Sequence, residues 1–108
     1  MEPGRLRLIV ALVACCAMAV AVPADAATIQ IVMQNLDISP AEVSAKVGDT
    51  IEWTNKDIVA HTATARNGDF DVALQANKTA SFVLKKAGAV DYYCRFHPNM
   101  KASLKIEP

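Results

Sequence analysis

Val90-Asp91-Tyr92-Tyr93-Cys94-Arg95-Phe96-His97-Pro98-Asn99-Met100 runs from an alternating strand straight into a loop crowded with polar and sulfur side chains. Side chains alternate faces along a strand, so Cys94 points the same way as Val90 and Tyr92. With those two in a core, the thiol faces the interior. It is then dry, rigidly held and poorly placed for catalysis on a bulky substrate.

Outward from this segment the same period-two pattern recurs in short runs, and no helical stripe of any length interrupts it. Ile29, Ile31 and Met33 share one face of a first strand, and Pro40 closes the segment that follows. Glu42 to Lys46 reads as a second strand. Val47-Gly48-Asp49 turns into Thr50 to Asn55, where Ile51 and Trp53 face in and Thr50, Glu52 and Thr54 face out. His61 to Ala65 forms a short strand before the turn Asn67-Gly68-Asp69. Ala80, Phe82 and Leu84 make another inward set, Lys85 to Gly88 turns the chain again, and Leu104 with Ile106 mark a last strand. Many short strands with regular turns mean an all-β sandwich or barrel.

The start of the chain is set apart from this domain. Arg5 and Arg7 lead an apolar run from Leu8 to Val22, and Ala24-Asp25-Ala26 offers a small-x-small cleavage site. Residues 1–26 therefore read as a secretory signal, with the mature domain at 27–108 and a periplasmic destination. A competing reading makes Leu12-Val13-Ala14-Cys15 a lipoprotein box with a lipidated Cys15, although the residues after it stay apolar where a tether is normally polar. An uncleaved anchor is disfavoured, since the apolar run is short for a span.

The 82 residues after the signal make one small domain, able to bury only about 60–65% of its unfolded surface, so a bound metal would help it. Seven Lys and two Arg balance nine Asp and Glu there, which argues against nucleic acid as a partner. No later stretch is apolar enough to span a bilayer, and a soluble monomer is expected. Two of the three cysteines, Cys15 and Cys16, fall within the signal. Cys94 is left alone in an export compartment where thiols pair, so it needs a reason such as metal ligation, an intermolecular bridge or burial.

Metal ligation gathers the most residues. Cys94, His97 and Met100 are a thiolate, an imidazole and a thioether at three-residue steps, which one loop can curl around a single ion. A fourth donor must come from elsewhere, and His61 is the only other histidine. Each has a plainer reading by itself: a hydrogen-bonded loop histidine, a core-filling methionine, a small buried thiol. Together, two His, one Cys and a weak axial Met are the donor set of blue copper electron-transfer centres.

On these residues the chain resembles the cupredoxins, with a ligand loop of the amicyanin type. The likeness includes Val47-Gly48-Asp49-Thr50, Trp53-Thr54-Asn55, His61-Thr62, Ala87-Gly88 and Asp91-Tyr92-Tyr93-Cys94, and in the loop two residues separate His97 from Met100. The resemblance implies a Greek-key β-sandwich of about eight strands. It places one copper ion, cycling between Cu(I) and Cu(II), at one end beneath an exposed edge of His97. The position after the first histidine, usually Asn in the family, is Thr62. The expected function is a shuttle of single electrons between a redox donor and an acceptor that dock transiently near His97, and not an enzyme. The alternative is a periplasmic copper carrier or storage module without redox shuttling, for which exposed Met-rich or His-rich donors would be expected. A copper enzyme would need further histidines for a second site, and a zinc hydrolase fits poorly with a Met donor and no carboxylate base.

Overall fold

The computed structural model describes residues 26–108, so the signal-peptide reading of residues 1–26 and the question of Cys15 lie almost wholly outside the described residues. Nine strands follow one another with no helix among the described residues: β1 Thr28–Gln34, β2 Asp37–Ser39, β3 Glu42–Lys46, β4 Thr50–Asn55, β5 His61–Ala65, β6 Asp71–Leu74, β7 Thr79–Val83, β8 Gly88–Tyr93 and β9 Lys101–Glu107. One sheet has the order β2-β1-β4-β7 and the other β3-β9-β8-β5-β6. The two parallel pairings are β1 with β4 and β3 with β9; the others are antiparallel. This is a two-sheet β-sandwich, with nine strands among the described residues against an expected eight or so.

The inner faces hold what alternation placed there. Ile31 and Met33 from β1, Ile51 and Trp53 from β4, Val90 and Tyr92 from β8, and Leu104 and Ile106 from β9 are all buried. Trp53 stands edge-on to Tyr92 across the sheets, and its Nε1–H donates to the Tyr92 hydroxyl at 3.2 Å. Phe70 packs on both rings. Burial pushes the Tyr92 hydroxyl up to about 12, against the pull of the Trp53 hydrogen bond.

Two features position the far end of the sandwich. The turn between β1 and β2 puts Asn35 and Leu36 at φ 57° and 60°, a left-handed conformation uncommon for a leucine. Between β4 and β5, the buried Asn55 amide spans a loop: Nδ2 donates toward the carbonyls of Val59 (2.8 Å), Leu74 (3.1 Å) and Gln75 (3.3 Å), while Oδ1 accepts from Asp57 N at 2.9 Å. An amide that answers several backbone groups at once fixes the path of residues 56–60 into β5.

Candidate metal centre

Strand β5 begins at His61 and strand β8 ends one residue before Cys94, and the two strands are antiparallel neighbours. Residues 33 positions apart in sequence therefore meet at the same end of the sheet. Cys94 Sγ lies 3.7 Å from His61 Nδ1 and 3.6 Å from His97 Nδ1, and the three donor atoms fall within 4.8 Å of one another. His61 and Cys94 are fully buried and His97 is half-buried.

The loop that carries His97 is closed by its own backbone. His97 N donates to Cys94 O at 3.2 Å, Met100 N to His97 O at 2.9 Å, and Cys94 N to Met100 O at 3.0 Å. Successive turns of this kind bring Met100 back beside Cys94, where its side chain is buried in the core cluster. All four residues singled out in the sequence thus gather at one end, three as converging donor atoms and Met100 as a buried neighbour.

Three supports were not legible as such. Asp57 Oδ2 lies 2.7 Å from His61 Nε2. The same carboxylate accepts from Asn35 N at 2.7 Å and Leu36 N at 3.1 Å. The His61 hydrogen bond, helped by the two amides and opposed by burial, holds the Asp57 carboxyl below its ordinary range. An ionised carboxylate only accepts, so Nε2 carries the ring proton and the Nδ1 lone pair is left facing Cys94. The signal that could have found it is spacing alone: Asp57 precedes His61 by four residues across a loop.

The other supports come from Thr62. Its backbone N–H donates to Cys94 Sγ at 3.4 Å, and its hydroxyl accepts from Arg95 N at 2.9 Å. The threonine side chain is shorter than the asparagine usual at this position, and its hydroxyl still makes the link because Arg95 N comes within 2.9 Å of it.

The donor set fits copper. Buried sulfur is a soft ligand, two neutral imidazole nitrogens serve both oxidation states, and one ring is already held in the ligating tautomer by an outer carboxylate. No side-chain nitrogen or oxygen buried in the described region lacks a partner.

Apolar side chains are exposed on the loops that carry or adjoin the candidate donors. Leu36, Ile58, Val59 and Phe96 are exposed, Ile58 to 88%, and Leu36 lines a shallow hollow with His97, Pro98, Asn99 and Met100. The Arg95 guanidinium, itself exposed, lies 3.3 Å from Asp71 and near the Phe96 ring, and Lys56 and Lys101 are exposed as well.

Comparison with known proteins agrees with this geometry. A sequence model of the cupredoxin-like domain matches residues 6–106. Amicyanin-alpha of Methylorubrum extorquens is 29% identical over 90 residues, covering 78% of this chain and 76% of that protein. Amicyanin of Paracoccus versutus is 26% identical over 92 residues, 80% of this chain and 68% of the other. Among solved structures, that amicyanin superposes with a TM-score of 0.65 at 26% identity, over 80% of this chain and 85% of its own. A purple cupredoxin from Nitrosopumilus maritimus gives 0.64 at 26%, over 73% and 99%.

Proposed function

The chain belongs to the cupredoxin-like family, and from that premise we propose that it is an exported single-electron carrier whose one copper ion is held by His61, Cys94, His97 and Met100. The observation that carries this reading is the convergence of Cys94 Sγ with two Nδ1 atoms at 3.6 and 3.7 Å in a buried pocket. Copper bound there supplies a one-electron Cu(I)/Cu(II) couple. The chain's own residues do the rest. Asp57 orients His61, Thr62 N–H lies against the sulfur, and the closed 94–100 loop keeps His97 and Met100 from wandering. Rigid donors lower the rearrangement that accompanies a change of charge, which favours a shuttle over a carrier that must release its ion.

The apolar side chains exposed on the loops that carry or adjoin the donors suit a weak encounter that forms and dissociates quickly, with donor and acceptor using the same face in turn. Residues 1–26 direct export to the periplasm in this reading, and the mature chain works as a monomer. The test is the visible absorption spectrum of the mature protein loaded with one copper per chain. An intense thiolate-to-copper charge-transfer band that disappears in Cys94→Ser and persists in Met100→Leu is the expected result. A pale, square-planar Cu(II) spectrum would overturn the assignment.

A further inference from the structure

Along the outer face of β5 the hydroxyls form a chain that the ligand set does not itself require. Thr62 Oγ1 and Thr64 Oγ1 are 2.8 Å apart, and Thr64 Oγ1 donates to Asp71 Oδ1 at 2.7 Å. A hydroxyl has one proton and a carboxylate only accepts. The Thr64 proton is therefore committed to Asp71, and the contact between the two threonines runs from the Thr62 hydroxyl to Thr64 Oγ1. That leaves the Thr62 lone pairs for Arg95 N–H, 2.9 Å away. Every hydrogen points one way, from Arg95 N to Thr62, to Thr64, to Asp71. The Arg95 side chain returns to the same carboxylate, Nε to Oδ1 at 3.3 Å. Hydroxyls in a row that ends on a charge polarise one another in the same sense.

From this we infer that Thr64 and Asp71 are positioning residues of the metal centre, which fix the Thr62 hydroxyl as an acceptor and so clamp the amide that follows Cys94. The inference rests on the reading of Cys94 as a ligand for its consequence at the metal, but not for the clamp itself. Thr62 is almost wholly buried, so water is poorly placed to replace a lost partner. Without Thr64 the Thr62 hydroxyl is free to rotate among three staggered positions, and its proton can turn toward the Arg95 amide. The Asp71 carboxyl is held below its ordinary range chiefly by the Thr64 hydroxyl, with Arg95 adding to it, as a terminal acceptor should be.

Two pairs of variants, each a loss and its conservative rescue, test the relay: Thr64→Val with Thr64→Ser, and Asp71→Ala with Asp71→Asn, whose amide oxygen still accepts. Amide hydrogen exchange at Arg95 is read first, on the metal-free protein. Both loss variants should speed it about tenfold, the loss of roughly one buried hydrogen bond, and both rescues should return it to the parent rate, with Tyr92 and Val90 amides unchanged throughout. The copper-loaded proteins are then compared by voltammetry, where both loss variants should shift the reduction potential and Thr64→Ser should restore it. If one loss variant does not fold, the other pair decides. Parent-like Arg95 exchange in the folded loss variants overturns the relay. Faster exchange with an unmoved potential overturns its role at the metal, and failure to take up copper at all would tell against the ligand reading while leaving the exchange result to judge the clamp.

Discussion

Replacing Asp57 with alanine removes one carboxylate that serves three donors at once. The largest loss is at His61, whose fully buried Nε2–H is left without an acceptor, at about 1–3 kcal/mol for an unsatisfied buried group. The amides of Asn35 and Leu36 lie in an exposed turn where water can take over, so each adds only about 0.5 kcal/mol. The total is about 2–4 kcal/mol, or a fall in melting temperature of roughly 10–20 °C for a domain of this size. Urea and thermal unfolding of the metal-free protein measure it without interference from copper. The folded carboxyl sits below its unfolded value. Its contribution is therefore complete above the ordinary carboxylate range, about pH 4, and fades as pH falls through the folded value. Asp57→Ala should accordingly flatten the acid limb of the stability curve. Nitrogen NMR of the His61 ring supplies the sharper check, with the proton on Nε2 in the parent and a mixture of tautomers in the variant. A destabilisation below about 0.5 kcal/mol, the range of an ordinary surface change, or a parent ring protonated on Nδ1, would refute the reasoning.

Tyr92 makes the mirror-image prediction at high pH: with its hydroxyl raised to about 12, its stabilising contribution is complete below about pH 10 and is lost as pH climbs toward the folded value. Tyrosinate absorbance in a Tyr93→Phe background should show ionisation coincident with unfolding, and an early, reversible titration of the folded protein would count against it. Asn55→Ala strands the loop carbonyls and the Asp57 amide, so it should cost about 2–4 kcal/mol, whereas Asn55→Asp keeps Oδ1 and recovers only part; equal losses in calorimetry would contradict this division. A chain that begins at Ala27 converts its amide into an ammonium 2.9 Å from Asp49 Oδ1. It should melt a few degrees higher than one extended by several residues, since a charged donor adds about 1 kcal/mol over a neutral one, and the gap should shrink in high salt.

Alternation and turns were enough for most of the sandwich. Glu42–Lys46, Thr50–Asn55 and His61–Ala65 are strands with the bounds the pattern suggests, and Val90, Tyr92 and Cys94 share the buried face as parity requires. The strands that escaped, Asp37–Ser39 and Asp71–Leu74, are the shortest and both lie at a sheet edge. An edge strand is patterned by one neighbour only, and three or four residues give alternation too little length to show. The candidate ligands could be singled out because donor chemistry at three-residue steps is rare and only one other histidine was available. Asp57 and the Thr62–Thr64–Asp71 row were not, because their roles depend on which backbone groups come near. Thr62 meets Arg95 only through strand pairing across 33 positions, and neither residue type names the other.

The pairing of β5 with β8 explains why the centre lies where it does. Their ladder is short, Ala65 opposite Tyr92 and Thr64 opposite Tyr93. Continued by the same register it would set Ala63 against Cys94 and Thr62 against Arg95. Side chains take over there instead: Arg95 N turns to the Thr62 hydroxyl and Thr62 N to the Cys94 sulfur. Each amide that leaves the ladder still finds a partner, so the strands part without stranding a buried donor. The gap that opens is the place where His61, Cys94 and His97 direct their ligand atoms. A serine at residue 94 draws the acceptor back from Thr62 N, because a C–O bond is shorter than a C–S bond, and a valine at residue 62 leaves Arg95 N unanswered. Both substitutions should therefore loosen this end of the sheet in the metal-free protein, before any question of copper arises.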